Sequence, residues 1–600
     1  MLNKINKNLN VNVLQEIFIT KFEVYVNSMR RILIAIVGIS TFILIPKRLK
    51  SQEDNQFTVD EKYSNNRPSM NGDPGFFLDD WKEKKNPKIK LSKELLIVNQ
   101  QSTTYSYIDF SKPLTKISKY IFGNNLGHWT NRKFLQEDQF IFNLKDIGIQ
   151  VVRFPGGNAS NDYFWDAGDI NDCPEGTPSV IYKSDFKKTT PPKLGTKGSY
   201  RSRPQDYYEL LMRTKATGSI CVNYSFSLYS ETEDETKRVN DAAEYAASWV
   251  HEVNIKNQLG IKFWEIGNEN WGKWQAGYNV KERGIIDPKK YGEHCRVFIE
   301  KMKAVDPTIK IGVVGYQKPK SRNPVQERWN ELVIPEIIDF ADFYILHDYY
   351  AKYGANLSPS EMLAAVDTTY SHIKVVNQAI EKFTDKKAKY LPIALTEFNT
   401  RSNATISKND GATNVSHSAG IFFAHSIGEI IRQGYGMAMV WDIENGYHDG
   451  KDHGMFASKK ETDVDWLNPH PSYFHYYYYN LCFGDTYYET HSTKNSIRIH
   501  ASSFSSGEAG LVVVNISDKE EIVEIELENI SPMEFAGVYE IYNDNPLSRK
   551  TGINGVLPNK KAGGPENFKK IPANRVDLID NKIKIVSKPF SANYILTKIQ

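Results

Sequence analysis

Between residues 117 and 444, short apolar runs alternate with segments whose apolar residues recur at i, i+3 and i+4. The runs read as buried strands and the longer spacing as amphipathic helices. The strands are ISKYIFGNN (117–125), IGIQVVRFP (147–155), SICVNYSF (219–226), KFWEIGNE (262–269), IKIGVVG (309–315), DFYILHDYY (342–350), YLPIALTEF (390–398) and GMAMVWDIE (436–444). The clearest helices between them are 205–217, 241–253, 288–305, 359–383 and 414–433, with Pro288 and Pro359 placed as first-turn prolines. Eight strands alternating with helices predict a (β/α)8 TIM barrel over 115–470. A doubly wound open sheet is the alternative and usually has fewer strands.

Beyond 471 the period becomes two. SIRIHASSF, EAGLVVVNIS, EEIVEIELENI, GVYEIYND, KIKIVSK and SANYILTKI predict a C-terminal antiparallel β-sandwich over 471–600. LLIVNQ and TTYSYIDF, within 92–114, are strands that can complete its sheets. The four tyrosines 476–479 predict packing between the two domains.

Residues 51–91 are polar and proline-bearing and read as a linker. Residues 1–50 read as a leader, in which Arg30 and Arg31 precede an apolar core at 32–46. That is the pattern of a signal peptide, with Met29 as an alternative start. The expectation is a secreted, periplasmic or cell-surface protein, held at a membrane only if the segment stays uncleaved.

A net charge of +3 over 600 residues gives no support to a nucleic-acid partner. The 12% aromatic content suits either a carbohydrate surface or simple packing. Four scattered cysteines form no CxxC and read as buried free thiols. No His/Asp cluster with metal-ligand spacing stands out, although HDG at 448–450 and DHG at 452–454 are noted, and no metal or cofactor is expected.

In such barrels chemistry sits at the C-terminal ends of the strands. Those ends carry Arg153 and the PGGN turn to Asn158, Asn268 with Glu269, His347-Asp348-Tyr349, Glu397, and Trp441-Asp442. Glu269 and Glu397 thus face one mouth, as glycoside cleavage requires of its two carboxyl groups. Trp271, Trp274 and Trp441 are candidate platforms for a sugar face; each can instead be core. His347 has an alternative as a structural histidine, and Asp348 reads as structural.

NE on strand four and a glutamate on strand seven resemble the signature of the clan A retaining glycoside hydrolases. Within that clan the chain is most similar to the family 51 α-L-arabinofuranosidases. IDFSKPLTKISKYIFGNNLGHWTNR, RFPGGNASNDYFW, GNEN, LHDYY and LTEFN carry the likeness, over about residues 105–445. The resemblance implies Glu269 as general acid/base and Glu397 as nucleophile. Asn268 would bond a sugar 2-hydroxyl, and Arg153 and Tyr349 would hold Glu397 by charge and hydrogen bonding. Glu269, among aromatic rings, is expected to have its pKa raised by desolvation. Two positions depart from the family: Gly127 stands for a substrate-binding Glu, and Phe398 for the usual Trp.

Three functions follow. The first is a secreted α-L-arabinofuranosidase-like hydrolase of a neutral or weakly charged polysaccharide. The second is the same machinery on another polymer, as in agarases, porphyranases, or xylosidase- or glucuronidase-like enzymes. The third is a non-catalytic carbohydrate-binding protein, which the presence of both carboxylates disfavours.

Overall fold

The computed structural model describes residues 70–599, apart from Asn86, Ser199, Pro319, Lys352, Tyr353, Pro532 and Lys560. The leader and its apolar core at 32–46 lie outside the described residues.

Eight parallel strands close a barrel: Gly123–Asn125, Val151–Phe154, Thr217–Val222, Phe263–Ile266, Lys310–Val314, Phe343–Asp348, Ile393–Phe398 and Met437–Val440. Strand eight closes on strand one through Met439 opposite Gly123 and Val440 opposite Asn124. All eight predicted runs are therefore barrel strands, because each is apolar enough to be buried on both faces. Several helices start where their caps dictate. Asp287 accepts from Lys289 N ahead of Pro288–Val305, and Ser416 from Ala419 N ahead of His417–Gln433. The predicted helix 359–383 is instead two, Pro359–Ala364 and Thr369–Phe383, separated by a 3₁₀ turn at Ala365–Thr368.

The linker expected over 51–91 needs correction from residue 70 onward. Gly75–Leu78 forms a short 3₁₀ turn that buries Phe77 in the floor of the barrel. There Phe77 packs with Val151, Phe263, Phe343 and Met437, each at the start of its strand. Gly436 is required beside it, since a Cβ there would lie 2.0 Å from the Phe77 ring. The chain then crosses to the sandwich, where Lys84 Nζ donates to the Phe483 carbonyl at 2.6 Å. A single apolar GFF triplet in a polar stretch is too short to register as an element, yet it stoppers the barrel.

The sandwich core lies between a nine-stranded and a four-stranded sheet, with Leu511, Val513, Val523, Ile525 and Ile585 inside. Leu91–Leu95 and Pro113–Lys116 pair into the larger sheet and Thr104–Asp109 into the smaller. LLIVNQ is misplaced by a few residues: the strand is Leu91–Leu95, paired with Ala573–Asp577, a strand the alternation did not reveal. The domain boundary also moves. Pro471–Cys482 is the helix that follows strand eight and packs on His417–Gln433, so it belongs to the barrel rather than to the sandwich. It carries the tyrosine run. Tyr476 meets Phe122 and Phe423 of the barrel, and Tyr478 meets Tyr539 and Tyr594 of the sandwich. All four cysteines are free, and Cys221, Cys295 and Cys482 are buried.

Candidate active site

Strand two delivers Arg153 to the centre of the mouth. Its side chain is fully buried, and all three nitrogens are bonded. Nε donates to Glu265 Oε2 at 2.8 Å, Nη1 to Glu397 Oε1 at 2.8 Å and Asn125 Oδ1 at 3.1 Å, and Nη2 to Asn268 Oδ1 at 2.9 Å. A buried cation is tolerated only when paired in this way. Burial alone would lower its pKa. Glu265, then Cys221 and Glu397, raise it above the usual value, so the guanidinium stays charged.

Glu265, inside strand four, was not singled out from the sequence. It also accepts from Ser219 Oγ at 2.9 Å and Thr396 Oγ1 at 3.3 Å. Its signal was the alternation itself: Trp264 and Ile266 flank an acidic residue that must share the barrel interior.

A bulge sets the geometry of strand seven. Leu346 pairs with Leu395 but His347 with Glu397, so Thr396 is an extra residue. Without it, neighbours alternate faces. With it, both Thr396 and Glu397 reach the interior. Glu397 then receives one donor on each oxygen: Arg153 on Oε1, and Tyr349 Oη on Oε2 at 2.8 Å.

Glu269 lies three residues beyond strand four with φ of +45°, left-handed backbone that a non-glycine residue adopts only under constraint. His347 Nδ1 is 3.1 Å from its Oε1 and 3.7 Å from Glu397 Oε2. The His347 ring nitrogen and one oxygen from each glutamate all lie within 4.8 Å of one another. The Thr396 hydroxyl donates to Glu265, so it accepts from His347 Nε2–H at 3.0 Å. That leaves Nδ1 to share a proton with Glu269. The expected rise in the Glu269 pKa is corrected. Burial does push it up, but the hydrogen bond and charge of His347, then Trp274 and Arg153, draw it below the usual carboxylate value. The transferable proton therefore belongs to the Glu269–His347 pair.

Asn268 is buried, and its Nδ2 has no hydrogen-bond partner among the described residues. A buried amide left in this state is available to a substrate hydroxyl. Asn158 is exposed at the rim and accepts from Gln275 Nε2 at 2.7 Å; Gln275 also reaches Glu269 Oε2 at 3.4 Å.

The tryptophans divide. Trp271 is corrected from platform to support: its indole N–H donates to Gly315 O at 2.9 Å and its ring packs edge-on against Tyr316. Trp274, 37% exposed, meets Trp271 edge-on and donates to Glu269 Oε2 at 3.2 Å. Trp441 leans on the PGGN turn, where a Cβ at Gly157 (φ +53°) would lie 2.6 Å from its ring. Trp129, missed in the sequence, stands 5.6 Å from Trp441 between ring centroids. It explains Gly127, because any Cβ there would fall 2.2 Å from the Trp129 ring. Phe398 faces away from the mouth, against Phe423.

Asp442, buried behind Trp441, is pushed well above the carboxylate range by burial and then by Glu444 and Glu397. It adds no further negative charge to the mouth. Asp452 accepts from the backbone N–H groups of His448 and Gly450, so the HDG and DHG triplets shape the loop after strand eight. Two clusters have ligand spacing for a metal, Glu269–His347–Glu397 and His425–Glu429–His500. In the first, Arg153 already supplies the positive charge. In the second, Arg432 Nε donates to Glu429 at 2.8 Å and Tyr487 contacts His500 at 2.9 Å.

No protein-family model matches the chain. Among curated relatives, the intracellular exo-α-(1→5)-L-arabinofuranosidase of Acetivibrio thermocellus is 22% identical over 263 residues, covering 41% of this chain and 48% of that protein. The corresponding Bacillus subtilis protein is 23% identical over 265 residues, 43% of this chain and 47% of its own. The matches thus span about half the length of these relatives. The α-L-arabinofuranosidase structure from Thermotoga maritima, an arabinose complex, is 19% identical with a TM-score of 0.60, over 83% of this chain and all of that one. A family 44 xyloglucanase from Paenibacillus polymyxa is 14% identical with a TM-score of 0.55, over the same shares. The likeness to clan A glycoside hydrolases read from the motifs is thereby shown, as is the barrel-plus-sandwich fold.

Proposed function

We propose that the chain is a retaining glycoside hydrolase of the arabinofuranosidase type, with Glu397 as nucleophile and Glu269 as general acid/base. The observation that carries this is the spacing of the two carboxylates, which have oxygens within 4.8 Å of one another. Retention by double displacement needs carboxyl groups about 5–5.5 Å apart, whereas inversion holds them about 6.5–9.5 Å apart to admit a water.

The residues divide the labour. Arg153 and Tyr349 fix the Glu397 oxygens, so one lone pair is presented to the anomeric carbon. As the glycosidic bond breaks, the Glu269–His347 pair passes its proton to the leaving oxygen. Glu397 becomes covalently attached to the sugar. Glu269 then takes a proton from water, whose oxygen displaces Glu397 with a second inversion, restoring both carboxylates. The Asn268 amide is placed to bond the sugar 2-hydroxyl, an interaction that strengthens in the transition state.

The same machinery acting on a different polymer is a second reading, and one observation favours it. Trp129 occupies the space that a side chain at position 127 would need, which replaces the family's polar contact with an aromatic wall. Product analysis on arabinan, arabinoxylan, agarose and other galactans tests both. Arabinose release is the expected result. Oligosaccharides from a galactan, with no arabinose, would replace the first reading by the second, and no cleavage of any substrate would contradict both.

Export belongs to the proposal on the strength of Arg30, Arg31 and the apolar core at 32–46. Cell fractionation should find the chain outside the cytoplasm. A full-length cytoplasmic pool, like the intracellular location in the relatives' names, would contradict it.

A further inference from the structure

The insertion after strand two is set apart by charge. Its segment 181–203 holds seven Lys and Arg residues against one acidic residue, Asp185, a net +6 in 23 residues. The whole chain carries only +3, so everything else is net negative. Such an imbalance gathered on one loop creates a local field that the global charge conceals.

The structure puts this loop beside the mouth. Ile181–Lys183 and Lys188–Thr190 form a hairpin, and Asp185 at its tip accepts from Asn279 Nδ2 at 3.2 Å in the loop that follows Glu269. At the other end, Arg132 N donates to Tyr200 O at 2.9 Å and Ser202 N to Thr130 O at 2.9 Å. The loop carrying Trp129 is therefore stitched to it. Between hairpin and stitch lies a pocket of about 600 Å³ whose lining includes Lys193, Lys197, Tyr200 and Arg201.

The charges in it are not alike. Lys193 Nζ is committed to the buried Asp162 at 2.6 Å, an acceptor it shares with Lys183 at 2.5 Å. Lys197 and Arg201 are exposed and make no ion pair with any described residue. Asp169, the acid in the lining, is occupied by the backbone and side-chain N–H groups of Asn171. Aromatic rings accompany the cations: Tyr200 is 62% exposed, and Tyr182 and Phe186 stand edge-to-face on the hairpin, both largely in water. Exposed rings next to uncommitted cations match a sugar ring bearing an anionic substituent, which offers an apolar face for stacking and acceptor oxygens for Lys and Arg.

We propose that this pocket is a subsite for an anionic glycan, holding a carboxylate or sulfate of the polymer outside the cleavage site through Lys197 and Arg201. The idea rests on the glycosidase reading for the polymer's identity as a glycan, but binding can be measured without turnover. The assay is affinity electrophoresis of the full chain carrying Glu397→Gln, which spares the polymer, in gels containing polygalacturonate, a sulfated galactan or neutral arabinan. Retardation is expected with an anionic polymer and should weaken as NaCl is raised. The uronate and sulfate gels tell the two substituents apart, and retardation in either supports the subsite. Adding Lys197→Gln and Arg201→Gln should lower the apparent affinity for the anionic polymer about tenfold. The charge-preserving pair Lys197→Arg and Arg201→Lys should retain most of it. Both positions are exposed, and matching thermal melts confirm that the variants fold. Equal retardation by the neutral polymer, or retardation indifferent to the double Gln change, would overturn the subsite. Failure of the glycosidase reading would appear separately, as wild-type chain that cleaves neither class of polymer.

Discussion

Glu397→Ala is expected to abolish turnover, with kcat falling on the order of 10⁴–10⁶-fold. The variant loses the atom that would form the covalent bond, and no other carboxylate can take its place. Glu265 is bound to Arg153, Ser219 and Thr396 below the mouth. Asp442 is held well above the carboxylate range. The fold should survive, because Arg153 keeps Glu265, Asn125 and Asn268 as partners. Glu397→Gln, which can still accept from Arg153 and Tyr349, should be as inactive and closer to wild type in stability. The pair of variants thus separates chemistry from structure. Steady-state kinetics on an aryl glycoside, with a thermal melt alongside, make the comparison. Wild-type-like turnover in either variant would remove Glu397 from the nucleophile's role.

The second large effect depends on the leaving group. Glu269→Ala should cost on the order of 10²–10⁴-fold in rate with a natural, poor leaving group that must be protonated. With an activated aryl leaving group the bond breaks without that proton, and the loss in the first step should be far smaller. The glycosyl-enzyme would then accumulate, because no base remains to activate water. Added azide, which needs no base, should restore turnover and yield the glycosyl azide. The alkaline limb of the pH–rate profile reports loss of the proton shared by Glu269 and His347, so it should flatten in this variant. An equal loss with both kinds of leaving group, or no response to azide, would contradict the assignment.

The barrel was legible because its eight strands are buried on both faces and so appear as continuous apolar runs. The two glutamates were legible because strand ends define the mouth. Other features needed three dimensions. Phe77 contributes one ring from a polar segment, and nothing along the chain says that the ring enters the barrel floor. Thr396 reaches the interior only because of a bulge in the pairing of strands six and seven. Arg153, Glu265 and Thr396 are far apart in sequence, so their shared network is a property of closure. The direction of the Glu269 pKa was misjudged for the same reason. Aromatic neighbours are visible in GNENWGKW, whereas the His347 contact that outweighs desolvation comes from another strand. Trp271 and Trp274, three residues apart, looked equivalent, but only the fold shows that Trp271 turns to Gly315 and Trp274 to Glu269. Net charge misled in a similar way, since a near-neutral total conceals the basic loop at 181–203.

The central claim is double displacement between Glu269 and Glu397, and its stereochemical outcome is the most direct check. Proton NMR of the first product released from an aryl glycoside, recorded before mutarotation, reads the anomeric configuration. Retention is the predicted result. An inverted first product would mean that water attacks directly, and would contradict a nucleophilic role for Glu397.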